Sequence, residues 1–199
     1  MTRKRVGVVI FEGVEVLDFC GPYEVFSVVR LDEDKRRQEP SPFEVWLVAE
    51  NSGPVSSYAG MRVLPDHTFE TCPDLDILVV PGGMGSRREM NNPTMLTWVR
   101  ARAGQAETLT SVCTGALILG AAGLLDGRRA TTHWRSLDMM RQAFPQAQVV
   151  PDQRVVEDGQ VITSAGIAAG LDMALTVVAR YHGPDIARAT ARHMEYRYP

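Results

Sequence analysis

Three cysteines, four histidines and scattered carboxylates are the raw material for chemistry in this chain of 199 residues. Cys113 has the most telling surroundings. The run Ser111-Val-Cys-Thr-Gly-Ala-Leu-Ile-Leu-Gly places it between a β-prone stretch and an apolar helix-forming one, with small residues two positions to either side. A nucleophile elbow needs that spacing, because a side chain held at a sharp strand-to-helix turn leaves no room for bulk at the flanking positions. The helix beginning there would offer backbone N–H groups and the positive end of its dipole, which lower a thiol pKa and favour the thiolate. Ser111 stands where the strict pattern has glycine, and a free cysteine also serves as a small core residue. The residues alone therefore leave a nucleophile and a packing residue both open.

Other candidates carry their own plain alternatives. Gly82, Gly83 and Gly85 follow an apolar run in Val79-Val-Pro-Gly-Gly-Met-Gly. The spacing is neither a dinucleotide fingerprint nor a P-loop. Their backbone N–H groups could meet an anion developing near Cys113, and a tight turn explains them equally well. Asp18, in Val16-Leu-Asp-Phe-Cys-Gly-Pro, reads first as a helix cap. Buried beside a thiol instead, it would have a raised pKa and could act as an acid. His133 stands alone, and His67, His182 and His193 fall in a loop or at helix ends without ligand spacing. With no HxH, HExxH or Cys/His cluster, no metal site and no cofactor are expected. Cys20 and Cys72 lack the elbow context and read as passive.

The elements that must position these residues follow from hydrophobic patterning. Segments 5–11, 43–50, 75–83 and 108–113 are near-continuous apolar runs, as parallel strands covered on both faces require. Helices are expected over 17–31, 92–104, 114–125, 166–183 and 184–196, with Pro22 tolerated only if it falls in a first turn. Segment 53–69 suggests a hairpin excursion. Segment 154–164 suggests a second hairpin, turning at Asp158-Gly159. Alternation of strands and helices implies an α/β fold, an open and mostly parallel sheet with helices on both faces. Ligands bind such sheets beyond the carboxyl ends of the strands, where Cys113 and Gly82-Gly83 fall.

Bulk properties narrow the function classes. The length suits one domain spanning 1–199. A net charge of −3 without a basic block gives no footprint for nucleic acid. The longest apolar runs fall short of a membrane span. An odd number of cysteines without CxxC argues against a disulfide scaffold and suits a reducing cytoplasm.

Four segments taken together resemble the DJ-1/PfpI (ThiJ) superfamily: 16–26, 79–85, 111–134 and 158–178, in that family's order and over nearly the whole chain. The resemblance implies a flavodoxin-like three-layer sandwich, related to the class I glutamine amidotransferase fold, and a homodimer. It is closest to bacterial isonitrile hydratases, and almost as close to the ligand-binding half of AraC-type regulators. Those regulators continue into a helix-turn-helix region. This sequence ends at Pro199, so the enzyme is the expectation. Cys113 then matches the elbow nucleophile. Asp18 matches the carboxyl that contacts it, where many relatives have Glu. Thr114 stands where PfpI-type peptidases have the His of a triad, which makes a peptidase unexpected. Gly82, Gly83 and Thr114 match backbone donors to an oxyanion. Met84, His133, Trp134 and Ile167 are candidates for the pocket wall, suited to an apolar small-molecule substrate. Redox sensing, ligand binding without catalysis, and glyoxalase-type action through Cys113 are the alternatives.

Overall fold

A computed structural model describes residues 2–198. Its sheet is built on β1 (Lys4–Val9), β2 (Phe43–Ala49), β5 (His67–Thr68), β6 (Ile77–Val80), β7 (Thr108–Val112), β10 (Val155–Asp158) and β11 (Val161–Ser164). The strand order is β10-β11-β7-β6-β1-β2-β5, parallel throughout except for the β10–β11 hairpin at one edge. Val6, Val8, Val9, Ile77, Leu78, Val79 and Val80 are wholly buried, because helices cover both faces of the central strands.

Helices α1 (Val16–Val28), α6 (Ala169–His182) and α7 (Pro184–His193) pack on one another over one face. On the other face lie α2 (Ser86–Glu89), α3 (Pro93–Ala103), α4 (Gly115–Ala121) and α5 (Leu137–Ala143). The result is the flavodoxin-like three-layer α/β arrangement. Asn92 caps α3 by accepting from the Thr94 N–H at 3.0 Å, with Pro93 in the first turn. Gly183 ends α6 with φ of 88°, conformational space that a side chain would resist.

Several elements depart from the sequence expectation. The excursion after β2 does contain a hairpin, β3 (Val55–Ser56) with β4 (Arg62–Val63), but β5 then returns to the main sheet beside β2. Asp158 pairs with Val161, so the second hairpin turns at Gly159-Gln160, one residue later than Asp-Gly; Gly159 supplies the positive φ of 62°. Pro22 is the seventh residue of α1, not a first-turn residue, and has no N–H to return to the Asp18 carbonyl. Between α4 and the hairpin lie two short parallel strands, β8 (Arg129–Ala130) and β9 (Gln148–Val149), flanking α5. No periodic signal announces them.

Candidate active site

Strand β1 has β2 on one side and β6 on the other, so the loops leaving β1 and β6 diverge at a topological switch point. Asp18, Gly82-Gly83 and Cys113 come together there, one from each of three adjacent strand ends.

The elbow forms at the end of β7. Cys113 has φ of 54°, left-handed backbone that costs a non-glycine residue about 1–3 kcal/mol. Three hydrogen bonds hold it there. Its N–H donates to the carbonyls of Ser164 and Ala165, each at 3.2 Å, and its own carbonyl accepts the Thr132 hydroxyl at 2.8 Å. The small neighbour is required sterically: a Cβ at Gly115 would collide with the Val80 carbonyl oxygen and lie 2.8 Å from that of Pro81. At the other flank Ser111 is wholly buried between Val80 and Thr163 on the adjoining strands.

Asp18 is not a cap. It is the third residue of α1, whose cap position is Glu15, and it is wholly buried. Oδ2 accepts the Gly82 N–H at 3.1 Å, while Oδ1 is buried without a hydrogen-bond partner in good geometry. The carboxyl bears on the Cys113 thiol. Burial pushes Asp18 up to about 7, with the Glu15 charge adding to the rise and the Gly82 N–H and the thiol opposing it.

Cys113 departs from the expected thiolate. The N–H groups of Thr114 and Ile167 do act on the sulfur and lower its pKa. Burial outweighs them, the negative charge of Asp18 adds to it, and the thiol is pushed up to about 12. Only 6% of the residue is exposed, so little water reaches the site to solvate an anion. At rest the sulfur keeps its proton and Asp18 titrates near neutrality. The two form one proton-sharing pair.

Thr114 and the glycines fix this pair. Thr114 Oγ1 accepts the Gly83 N–H at 3.0 Å and the Ser86 hydroxyl at 2.9 Å, and donates to the Gly83 carbonyl at 3.2 Å. A Cβ at Gly82 would lie 2.5 Å from the Thr114 nitrogen, 2.6 Å from its hydroxyl and 3.0 Å from Asp18 Oδ2. Gly82 is thus the point where the three site loops touch. In this resting arrangement the Gly82 and Gly83 amides hold Asp18 and Thr114, so an oxyanion would have to draw them from those partners.

The remaining candidates sit further out. Met84, Trp134 and Ile167 expose 54%, 67% and 38% of their surface, and Leu17, beside Asp18, exposes 38%. His133 stacks on Trp134 at 5.8 Å between ring centroids and lies so close to Gly166 that a Cβ there would overlap its ring. Burial, then the charges of Arg135 and Arg87, lower its pKa and keep it neutral. Its Nδ1 accepts the Arg135 N–H at 3.3 Å. Its link to the elbow runs through the backbone, by way of the adjacent Thr132. Ile167 contributes more than a wall, because its backbone amide, in a residue with φ of 42°, faces the sulfur. No residue pattern signals an amide; a β-branched residue in left-handed backbone shows only in coordinates. Cys20 and Cys72 lie apart, each with its thiol pKa raised by burial.

The chain as a whole has known relatives. A model of the DJ-1/PfpI family matches residues 4–180. The isonitrile hydratase of Pseudomonas putida is 40% identical over 193 residues, spanning 96% of this chain and 78% of that one. The transcriptional regulator CdhR of Pseudomonas aeruginosa, of the HTH type, is 37% identical over 178 residues; the match spans 89% of this chain and about half, 51%, of the regulator. Among solved structures, a ThiJ/PfpI family protein from Pseudomonas syringae superposes with a TM-score of 0.85 at 34% identity, covering 100% of this chain and 77% of its own. Motif order, elbow geometry, sheet topology and these likenesses agree, and the chain belongs to the DJ-1/PfpI family.

Proposed function

We propose that the chain is a cysteine-dependent hydratase that converts isonitriles, R–N≡C, to N-substituted formamides. The observation that carries this is the buried Asp18–Cys113 pair, a carboxyl held through Oδ2 by the Gly82 N–H beside a thiol on left-handed backbone at a strand end. An isonitrile carbon both accepts a proton and is attacked by a nucleophile, so it needs an acid and a sulfur at one point. The 40% identity to an isonitrile hydratase supports the same substrate class.

The chemistry balances as a net addition of water. Ionised Asp18 takes the thiol proton as sulfur bonds to the terminal carbon, and passes that proton to the same carbon. The product is a thioimidate, R–N=CH–S–Cys113. Asp18 then takes a proton from water as the water oxygen bonds to the thioimidate carbon, and the nitrogen receives that proton. The C–S bond breaks, the hydroxyl proton returns to sulfur through Asp18, and R–NH–CHO leaves. Thr114, committed to Gly83 and Ser86, supplies no base of the kind a peptidase needs. Met84, Trp134 and Ile167, apolar and exposed, suit an apolar R group. A homodimer in the cytoplasm completes the proposal.

Redox sensing and glyoxalase-type action are competing readings of the same site. Burial and the Asp18 charge raise the thiol pKa, the direction opposite to the one a readily oxidised sensor cysteine needs. One experiment separates all three: cyclohexyl isocyanide, methylglyoxal and mild peroxide are each presented to the purified protein and its Cys113→Ala variant. Formamide formation by the wild type alone is the expected result. Undiminished hydration by Cys113→Ala overturns the proposal. Methylglyoxal consumption without formamide marks a glyoxalase, and stoichiometric Cys113 oxidation without turnover marks a sensor.

A further inference from the structure

Segment 165–168 joins β11 to α6 and carries Ile167, a β-branched residue in left-handed backbone. Such a conformation persists only where the surroundings dictate it. Local turns contribute: the Ala169 N–H donates to the Gly166 carbonyl at 3.3 Å, and the Gly170 N–H to that of Ile167 at 3.1 Å. The firmer hold comes from Arg154, which grips the segment at both ends. Its carbonyl accepts the Ala165 N–H at 2.9 Å. Its guanidinium reaches across to Asp172 in the first turn of α6, with Nε at 2.6 Å and Nη2 at 2.5 Å from Oδ2. Asp172 is 8% exposed, and its other oxygen, Oδ1, accepts the Tyr196 hydroxyl at 2.9 Å. Tyr196 follows α7 in sequence and is itself anchored by its N–H to the Ala191 carbonyl at 2.9 Å.

Backbone strain follows the same line. Among the described residues, four other than glycine have positive φ: Cys113, Ile167, Asp152 and Glu195. The first two meet at the sulfur. The others stand two residues before Arg154 and one before Tyr196.

We propose that Arg154, Asp172 and Tyr196 form a positioning staple that holds Ile167 left-handed and so keeps its amide on the Cys113 sulfur. The staple touches no reacting atom and acts through the loop. It rests on Cys113 being the nucleophile of the proposed reaction, yet it is tested without that reaction. A staple that merely braces the fold would, once cut, loosen the loop, uncover a thiol only 6% exposed and speed its modification. A staple that positions the amide, once cut, removes a donor from the nascent thiolate and slows modification.

The test is the rate of Cys113 carbamidomethylation by iodoacetamide in the full-length protein, mapped by mass spectrometry across about pH 6 to 10. Asp172→Asn and the milder Tyr196→Phe are compared with wild type. Loss of one backbone donor moves a thiol by about half to one pKa unit, so both variants should react roughly three- to tenfold more slowly at each pH. Ser41→Ala, which removes the buried hydroxyl bonded to the Phe26 carbonyl away from the site, should lower stability and leave the rate unchanged. Unchanged or faster reaction in both staple variants overturns the proposal, and should Asp172→Asn not fold, Tyr196→Phe decides alone. Because the readout is alkylation, loss of the isonitrile hydration proposal through absent turnover would leave this result standing.

Discussion

Replacing Asp18 by Asn should make the protein more stable at mildly alkaline pH while removing the proton carrier from its site. The carboxyl has an ordinary value of 3.8 unfolded and about 7 folded. Between those values the folded chain holds a proton that the unfolded chain has released. Stability therefore falls as pH rises through that window and levels off above the folded pKa. At about 1.36 kcal/mol per unit, a shift of about three units costs about 4 kcal/mol in full, and about 2.5 kcal/mol of that accrues between about pH 5 and pH 8. Asn fills the same space, accepts the Gly82 N–H through its amide oxygen, and has no charge to bury.

Urea unfolding of both proteins at the two pH values reads the difference directly. Asp18→Asn should gain about 2.5 kcal/mol on wild type in going from the acidic to the alkaline condition. His133 and His182, both lowered chiefly by burial, contribute with the opposite sign below their ordinary value of 6.5, but they are common to both proteins and cancel. The Cys113 thiol hardly contributes, being protonated in both states below its ordinary value of 9.0. Parallel stability profiles would refute the reasoning, since a carboxyl that ionises freely in the folded state cannot be the site's proton carrier.

The thiol makes its own prediction at higher pH. From 9.0 to about 12 the folded protein retains a proton that the unfolded chain loses, so stability should fall as pH rises through that range, and Cys113→Ala should flatten this alkaline limb in the same unfolding assay. Gly115→Ala should lower Tm and abolish turnover together. Its new methyl meets the carbonyls of Val80 and Pro81, backbone atoms that cannot swing aside, at a cost of about 1–3 kcal/mol or more. A variant that keeps wild-type Tm would show that the elbow has room the geometry denies it.

What the sequence made legible was what is local. The elbow is written in adjacent small residues because a sharp strand-to-helix turn leaves no room two positions to either side, although the Val80 carbonyl that forbids a side chain at Gly115 comes from the neighbouring strand. The central strands are legible because burial on both faces leaves runs of Val, Ile and Leu with no polar interruption. Asp18 was legible as chemistry only through family resemblance, since a lone carboxylate at the head of a helix is more simply a cap. Its real partners, Gly82 and Cys113, lie 64 and 95 positions away. Local reasoning also overstated the helix-end effect on Cys113, because burial is a property of the assembled layers and overrides two amides. The staple at Arg154, Asp172 and Tyr196 was not visible at all, because ion pairing across 18 positions and a tyrosine contact across 24 have no spacing rule.

Apart from left-handed Asp152 and Glu195, the costs among the described residues meet at the site. Cys113 and Ile167 each carry left-handed backbone worth about 1–3 kcal/mol, and Asp18 adds a buried carboxyl worth about 4 kcal/mol when ionised. These sums rival the whole stability of an ordinary domain, about 5–15 kcal/mol, so a site serving only packing would shed them by simple substitutions: glycine at 167, asparagine at 18. Each cost instead bears on a single sulfur. Cys113 is turned out of its strand, Ile167 aims an amide at it, and Asp18 shares its proton. Strain of this kind persists where geometry matters more than stability. That is why Asp18→Asn, expected to stabilise the fold and silence the site at once, discriminates between chemistry and packing more sharply than any substitution expected to do harm to both.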